Sequence, residues 1–130
     1  MYEVGLSRSF VAWHLFPGMA GPEGELHSHE YRFDVVAARR ELDDRGMVCD
    51  LDVLTAALDK TVAVIENKDL ELIRPPDAEA VTVEILARWA HSELSRFLET
   101  EGVESLSVRA WESPVAFGGY SGPPAASWGE

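Results

Sequence analysis

The sequence predicts an α+β domain, an antiparallel sheet with two helices on one face. Three observations carry this. Two early segments, Ser9 to Leu15 and Leu26 to Ala38, alternate apolar and polar residues with the two-residue period of a strand. Two later segments repeat apolar residues at helical spacing. A further alternating run, Val103 to Glu112, returns to the strand period. Strands, then helices, then strands is the order expected when helices gather on one face of an antiparallel sheet.

In the first strand Phe10, Ala12 and His14 share a face. Residues 16–25 hold Pro17, Gly18, Gly21, Pro22 and Gly24, which is loop chemistry. In the second strand His27, His29, Tyr31, Phe33, Val35 and Ala37 point inward. Ser28, Glu30, Arg32 and Asp34 point outward. Asp43-Asp44-Arg45-Gly46 reads as a turn, and Met47 to Cys49 as part of another strand.

Asp50 is placed to cap a helix starting at Leu51, with the stripe Leu51, Leu54, Leu58, Val62 and Ile65. Residues 67–79 are polar, contain Pro75-Pro76 and read as a loop. The second helix spans about Ala80 to Glu99, with Val81, Ile85, Leu86, Trp89, Leu94 and Phe97 on its stripe. His91 falls on its surface in this reading. Leu106, Val108, Ala110 and Glu112 share a face of the next strand, and a short strand follows around Ala116 to Tyr120. Residues 1–122 make one domain and 123–130 a loose tail.

At 130 residues the chain has one domain's worth of core, and assembly with copies of itself would add to it. A net charge of -12 argues against a nucleic-acid partner, because phosphate backbones attract basic surfaces. Cys49 is the one cysteine, so no intrachain disulfide is expected, and it reads as a small buried hydrophobe. No leader of basic then apolar residues is apparent, and no run approaches a membrane span of roughly 20 apolar residues. The expected location is the cytoplasm.

The strongest chemical signal is three histidines. His27 and His29 sit two apart on one strand, so their rings point the same way. His14 ends another strand on the matching face. Three imidazoles converging from two strands fit a catalytic zinc site, which leaves a fourth position for water or substrate. Separately satisfied side chains are the alternative. Glu112 faces inward beside Val108 and Ala110, where a carboxylate is costly without a partner. A guanidine-like ring edge would give it two donors; a strand-end carboxylate already in solvent is the alternative.

Phe10-Val11-Ala12-Trp13-His14 followed by Leu26-His27-Ser28-His29-Glu30-Tyr31 resembles the zinc signature of the 6-pyruvoyl-tetrahydropterin synthase and 6-carboxytetrahydropterin synthase superfamily. Gly46-Met47-Val48-Cys49-Asp50-Leu51 resembles its strand-to-helix junction, and Thr82-Val83-Glu84 its Pro-Thr-x-Glu-Asn helix start. Trp111-Glu112-Ser113-Pro114 resembles the strand whose Glu grips the pterin ring. The resemblance implies a tunnelling fold whose trimers close a barrel and stack as a homohexamer, with active sites between subunits. It implies Zn2+ on His14, His27 and His29, and a pterin held by Glu112 and Thr82.

The pattern also departs from that family. Its catalytic Cys, four residues before the first His of His-Gly-His, is Glu23 here. A branch of the superfamily uses Glu there, which implies Glu23 as the acid–base residue; Glu25 is the alternative if the loop register differs. The family's Leu-Asp-His-x-x-Leu-Asn motif corresponds to Ile65-Glu66-Asn67-Lys68-Asp69-Leu70-Glu71. Glu66 stands for the catalytic Asp, and Asn67, which cannot titrate, stands for the His. Ser28 replaces Gly on the outward face. The expected function is a zinc-dependent lyase acting on 7,8-dihydroneopterin triphosphate or a related dihydropterin. The alternatives are a diverged pterin- or purine-binding protein and a non-pterin metalloenzyme.

Overall fold

The structure is a computed structural model that describes residues 1–126. Strands β1 (Tyr2–His14) and β2 (His27–Arg39) pair antiparallel along their whole length, from Tyr2 opposite Arg39 to His14 opposite His27. Helices α1 (Leu51–Ile65) and α2 (Val83–Leu98) follow. Strands β3 (Ser105–Ser113) and β4 (Ala116–Gly122) complete an antiparallel sheet in the order β1-β2-β3-β4. This is the α+β architecture expected. Among the described residues no helix is long and apolar enough to cross a membrane.

The inward face of the sheet, with Phe10, Tyr31, Phe33, Val35, Leu106 and Val108, packs on Leu54, Leu58, Leu86 and Leu94 of the helices. Side-chain caps start both helices. The Asp50 carboxylate accepts from the Asp52 N–H at 2.8 Å, and the Thr82 hydroxyl accepts from the Ile85 N–H at 3.2 Å. The outward face is tied by Asp34, which accepts from Ser7 Oγ at 2.6 Å, Arg32 Nε at 3.0 Å and Trp111 Nε1 at 2.7 Å.

Four details differ from the sequence reading. β1 begins at Tyr2 rather than Ser9, because Val4 and Leu6 pack against the edge of the core across from β2. Met47 to Cys49 is not a strand. Asp43 and Met47 close a local turn, the Asp43 N–H donating to the Met47 carbonyl and the Met47 N–H to the Asp43 carboxylate, each at 2.9 Å. Phe97 is exposed and Leu98 takes its place in the core. His91 is buried rather than on the surface, and its ring N–H donates to the Gly122 carbonyl at 3.2 Å. Of the expected loose tail, 123–126 carry no helix or strand and the rest lies outside the described residues.

His91 gives the fold an acid sensitivity. Burial holds its pKa below the ordinary 6.5, partly offset by hydrogen bonding to the Gly122 and Leu106 backbone. The unfolded chain therefore takes up this proton at higher pH than the folded one. The stabilisation is present above pH 6.5 and is lost as pH falls through the lower folded value. The thermal midpoint of His91→Gln should fall less steeply than wild type below pH 6.5 in parallel melts; equal slopes would remove His91 as the cause.

Candidate metal centre

The β1–β2 pairing builds the site. His14 closes β1 directly opposite His27, and His29 lies one inward position further along β2. The His14 ring centroid is 4.5 Å from that of His27 and 5.1 Å from that of His29. The loop between the strands is pinned back over this corner. The Phe16 N–H donates to the Glu23 carbonyl at 2.8 Å, within reach of the short 3-10 turn Gly21–Gly24. Gly24 is required there, since a Cβ would collide with the Met19 carbonyl. The fold thus carries Glu23 to the histidines, its Oε2 3.6 Å from His27 Nε2.

One ligand atom each from His14, Glu23, His27 and His29 lie within 4.8 Å of one another. His27 Nδ1 sits 2.7 Å from the Glu25 carbonyl, which can only accept, so Nδ1 carries the hydrogen and Nε2 presents its lone pair to the cluster. His27 Nε2 and His29 Nε2 are 3.0 Å apart. Two nitrogens bound to one tetrahedral zinc lie about 3.3 Å apart, close to this spacing.

His14 supplies the test of fit. It is 4% exposed, and neither ring nitrogen has a hydrogen bond of good geometry, although the Val81 backbone acts on the ring. An orphaned buried imidazole costs about 1–3 kcal/mol. A metal ion would satisfy it. Burial, then the neighbouring His27 and His29, hold its pKa below the ordinary value, which keeps it in the neutral form that ligates. The four residues fit a metal ion well.

His14 also lines a cavity of about 270 Å3 with Phe16, Tyr31, Thr82, Glu84 and Glu112. Glu112 reaches it at the irregularity between Trp111 and Ser113, where β3 leaves its regular pairing with β4. Gly118 lets β4 approach the start of α2, because a Cβ there would lie 2.8 Å from the Glu84 nitrogen. Burial, followed by the Glu112 and Glu23 carboxylates, pushes the Tyr31 hydroxyl pKa well up, so the phenol stays protonated.

The structure therefore brings His14, His27, His29 and Glu23 together and places Thr82 and Glu112 along the adjoining cavity. Glu25 contributes its carbonyl, not its carboxylate, to the histidine cluster. Glu66 points elsewhere within the chain, 3.8 Å from Arg8, six residues back along β1 from His14. Asn67 has a backbone role: its φ is 59° and its N–H donates to the Val11 carbonyl at 2.7 Å. Asn tolerates that left-handed conformation better than most residues. Tyr31, Glu84 and Asp69, which lines a smaller cavity on another side of His14, were not singled out by sequence reasoning. Two of them carried a signal: Tyr31 as an aromatic on the inward face beside His29, and Glu84 as the Glu of the matched helix start.

Fold and site define a small α+β protein with a histidine-rich corner that could hold a metal ion, beside a ligand-sized cavity. The chain belongs to the 6-pyruvoyl tetrahydropterin synthase family, whose model matches residues 3–123. Its fold is the tunnelling fold of those enzymes. It superposes on the 6-pyruvoyl tetrahydropterin synthase of Plasmodium falciparum with a TM-score of 0.77 at 15% identity, covering 94% of this chain and 98% of that one. A catalytic-residue mutant of the Plasmodium vivax enzyme, a glutamate replaced by alanine, gives 0.76 at 17% identity over 94% and 98%. The Caenorhabditis elegans enzyme gives 0.67 at 20% identity over 94% and 97%. No curated protein matches the sequence closely enough to count as a relative.

Proposed function

We propose that this protein is a zinc-dependent lyase of the cytoplasm, acting on 7,8-dihydroneopterin triphosphate or a related dihydropterin. The observation that carries the reading is one cavity lined by both His14 and Glu112. A pterin whose ring edge lies on the Glu112 carboxylate would direct its side chain toward the histidine corner. Zinc, when bound, supplies Lewis-acid polarisation of the side-chain oxygens. Glu23, beside the cluster on a pinned loop, is the residue placed to take and return the proton. A glutamate is named as a catalytic residue in the Plasmodium vivax protein, so the fold accommodates this chemistry. Thr82 shapes the cavity wall, and Tyr31 offers a protonated hydroxyl.

Glu112→Gln should weaken binding of a pterin analogue about 10- to 100-fold, since charged hydrogen bonds contribute roughly 1.5–3 kcal/mol. Titration calorimetry on zinc-loaded protein measures this; unchanged affinity would place the ring elsewhere.

Glu66 lies near Arg8, apart from the histidine cluster of its own chain, so a part in catalysis would call for a neighbouring subunit to supply it. This fits a homohexamer of two trimers. Light scattering after size exclusion should give about six times 14.4 kDa, and a stable monomer at micromolar concentration would contradict it.

The test of function is incubation of the zinc-loaded protein with dihydroneopterin triphosphate, products being identified by mass spectrometry. Metal-dependent cleavage of the pterin side chain or loss of triphosphate is the expected result. Tight binding of a pterin analogue without turnover would favour the second reading, a diverged binding protein, for which Asn67 in place of a titratable histidine is the motivating feature.

A further inference from the structure

We propose that Glu23 is the fourth protein ligand of the metal while no substrate is bound, so that the resting site is closed by four protein groups. The proposal rests on the metal reading of the histidine cluster and goes beyond the acid–base part given to Glu23.

The argument starts from lone pairs. His27 donates its Nδ1 hydrogen to the Glu25 carbonyl, which leaves one lone pair on Nε2. Two groups face that single nitrogen. His29 Nε2 is 3.0 Å away and Glu23 Oε2 is 3.6 Å away. If His29 donates its hydrogen to this nitrogen, the Glu23 oxygen faces it with no hydrogen between them. His14 adds two further ring nitrogens without a hydrogen bond of good geometry. A cation at the centre of this set would satisfy these nitrogen lone pairs and the Glu23 carboxylate together.

The Glu23 oxygen is part of that set, within 4.8 Å of all three histidine ligand atoms. Donor atoms on a tetrahedral zinc are separated by about 3.3–3.5 Å, and three imidazoles leave one corner open. The loop accounts for Glu23 being there. Its carbonyl is fixed by the Phe16 N–H and the turn after it depends on Gly24, so the side chain is delivered to the corner by its own backbone. Its side chain is 53% exposed. A ligand with that freedom can leave the metal without unfolding the site. Substrate oxygens arriving from the cavity would take the fourth position, and the released carboxylate would stand beside them as a base. Coordination and proton transfer then become two states of one residue.

The test uses the substrate-free protein, so it is independent of whether the pterin reading holds. Zinc affinity is measured by chelator competition for wild type, Glu23→Gln and Glu25→Gln. Loss of an outer partner of a ligand typically costs about 10- to 100-fold in metal affinity, and loss of a ligand should cost no less. Glu23→Gln should therefore bind zinc at least tenfold more weakly, while Glu25→Gln, which keeps the backbone carbonyl, matches wild type. An infrared difference spectrum between metal-free and zinc-loaded wild type should show a carboxylate stretch shifted on metal binding, and Glu23→Gln should lack that band. The wild-type spectrum stands even if the variant disturbs the loop. Equal affinities with no shifted carboxylate band would overturn the proposal and leave Glu23 as a base only. Absence of metal binding in wild type would overturn the metal reading and the proposal with it.

Discussion

Glu23→Gln is expected to lower turnover of a dihydropterin substrate about 100- to 10,000-fold, the range that loss of a general base produces. Glutamine has nearly the shape of glutamate, so the loop and its hydrogen bond from Phe16 should persist. It cannot accept the proton. The assay is run with zinc in excess, so that wild type and variant are equally loaded. Binding of a pterin analogue should change little, because Glu112 and Thr82 remain in the cavity wall. Glu25→Gln is the control and should lose far less, since the part Glu25 plays is made by its carbonyl. Equal turnover by Glu23→Gln and wild type would remove Glu23 from the mechanism.

His27→Ala is expected to have the other large effect. His27 is the central member of the cluster, facing His29 at 3.0 Å and Glu23 at 3.6 Å, with its ring oriented by the Glu25 carbonyl. Its removal takes away a candidate ligand whose ring the Glu25 carbonyl already orients toward the cluster. Outer-shell losses of about 10- to 100-fold set a lower limit, so His27→Ala should release nearly all of its metal under mild chelation. The fold should survive, because the ring is partly exposed and lies outside the main hydrophobic core. A variant that keeps its full metal content would show that the three histidines do not act together.

Much of this was legible in the sequence, for reasons that can be stated. Period-two alternation put His14, His27 and His29 on one face because a strand allows only two faces. Antiparallel pairing then required only the register His14 opposite His27 to bring them together. Asp50 and Thr82 marked their helix starts by the chemistry of capping. Other features were hidden because they depend on contacts distant in sequence. His91 looked like a polar residue on a helix surface until β4 was laid across it and offered the Gly122 carbonyl. Tyr2, Val4 and Leu6 alternating with Glu3, Gly5 and Ser7 were, by contrast, a legible strand signal that the expected start at Ser9 left out. Glu84 lines the cavity from the first turn of α2, which β4 approaches closely at Gly118. Which of Glu23 and Glu25 brings its carboxylate to the histidines depended on the loop's register, which the Phe16 hydrogen bond and Gly24 set. The position of Glu66 beside Arg8 followed from how α1 lies along β1, which periodicity does not encode.

The central claim is that the corner made by β1 and β2 is a zinc centre. Elemental analysis of protein purified without a histidine tag tests it most directly. The account predicts about one zinc per chain, in line with three histidine ligands and a fourth position on one ion. Wild-type protein that carries no zinc, and takes none up when the metal is supplied, would contradict it.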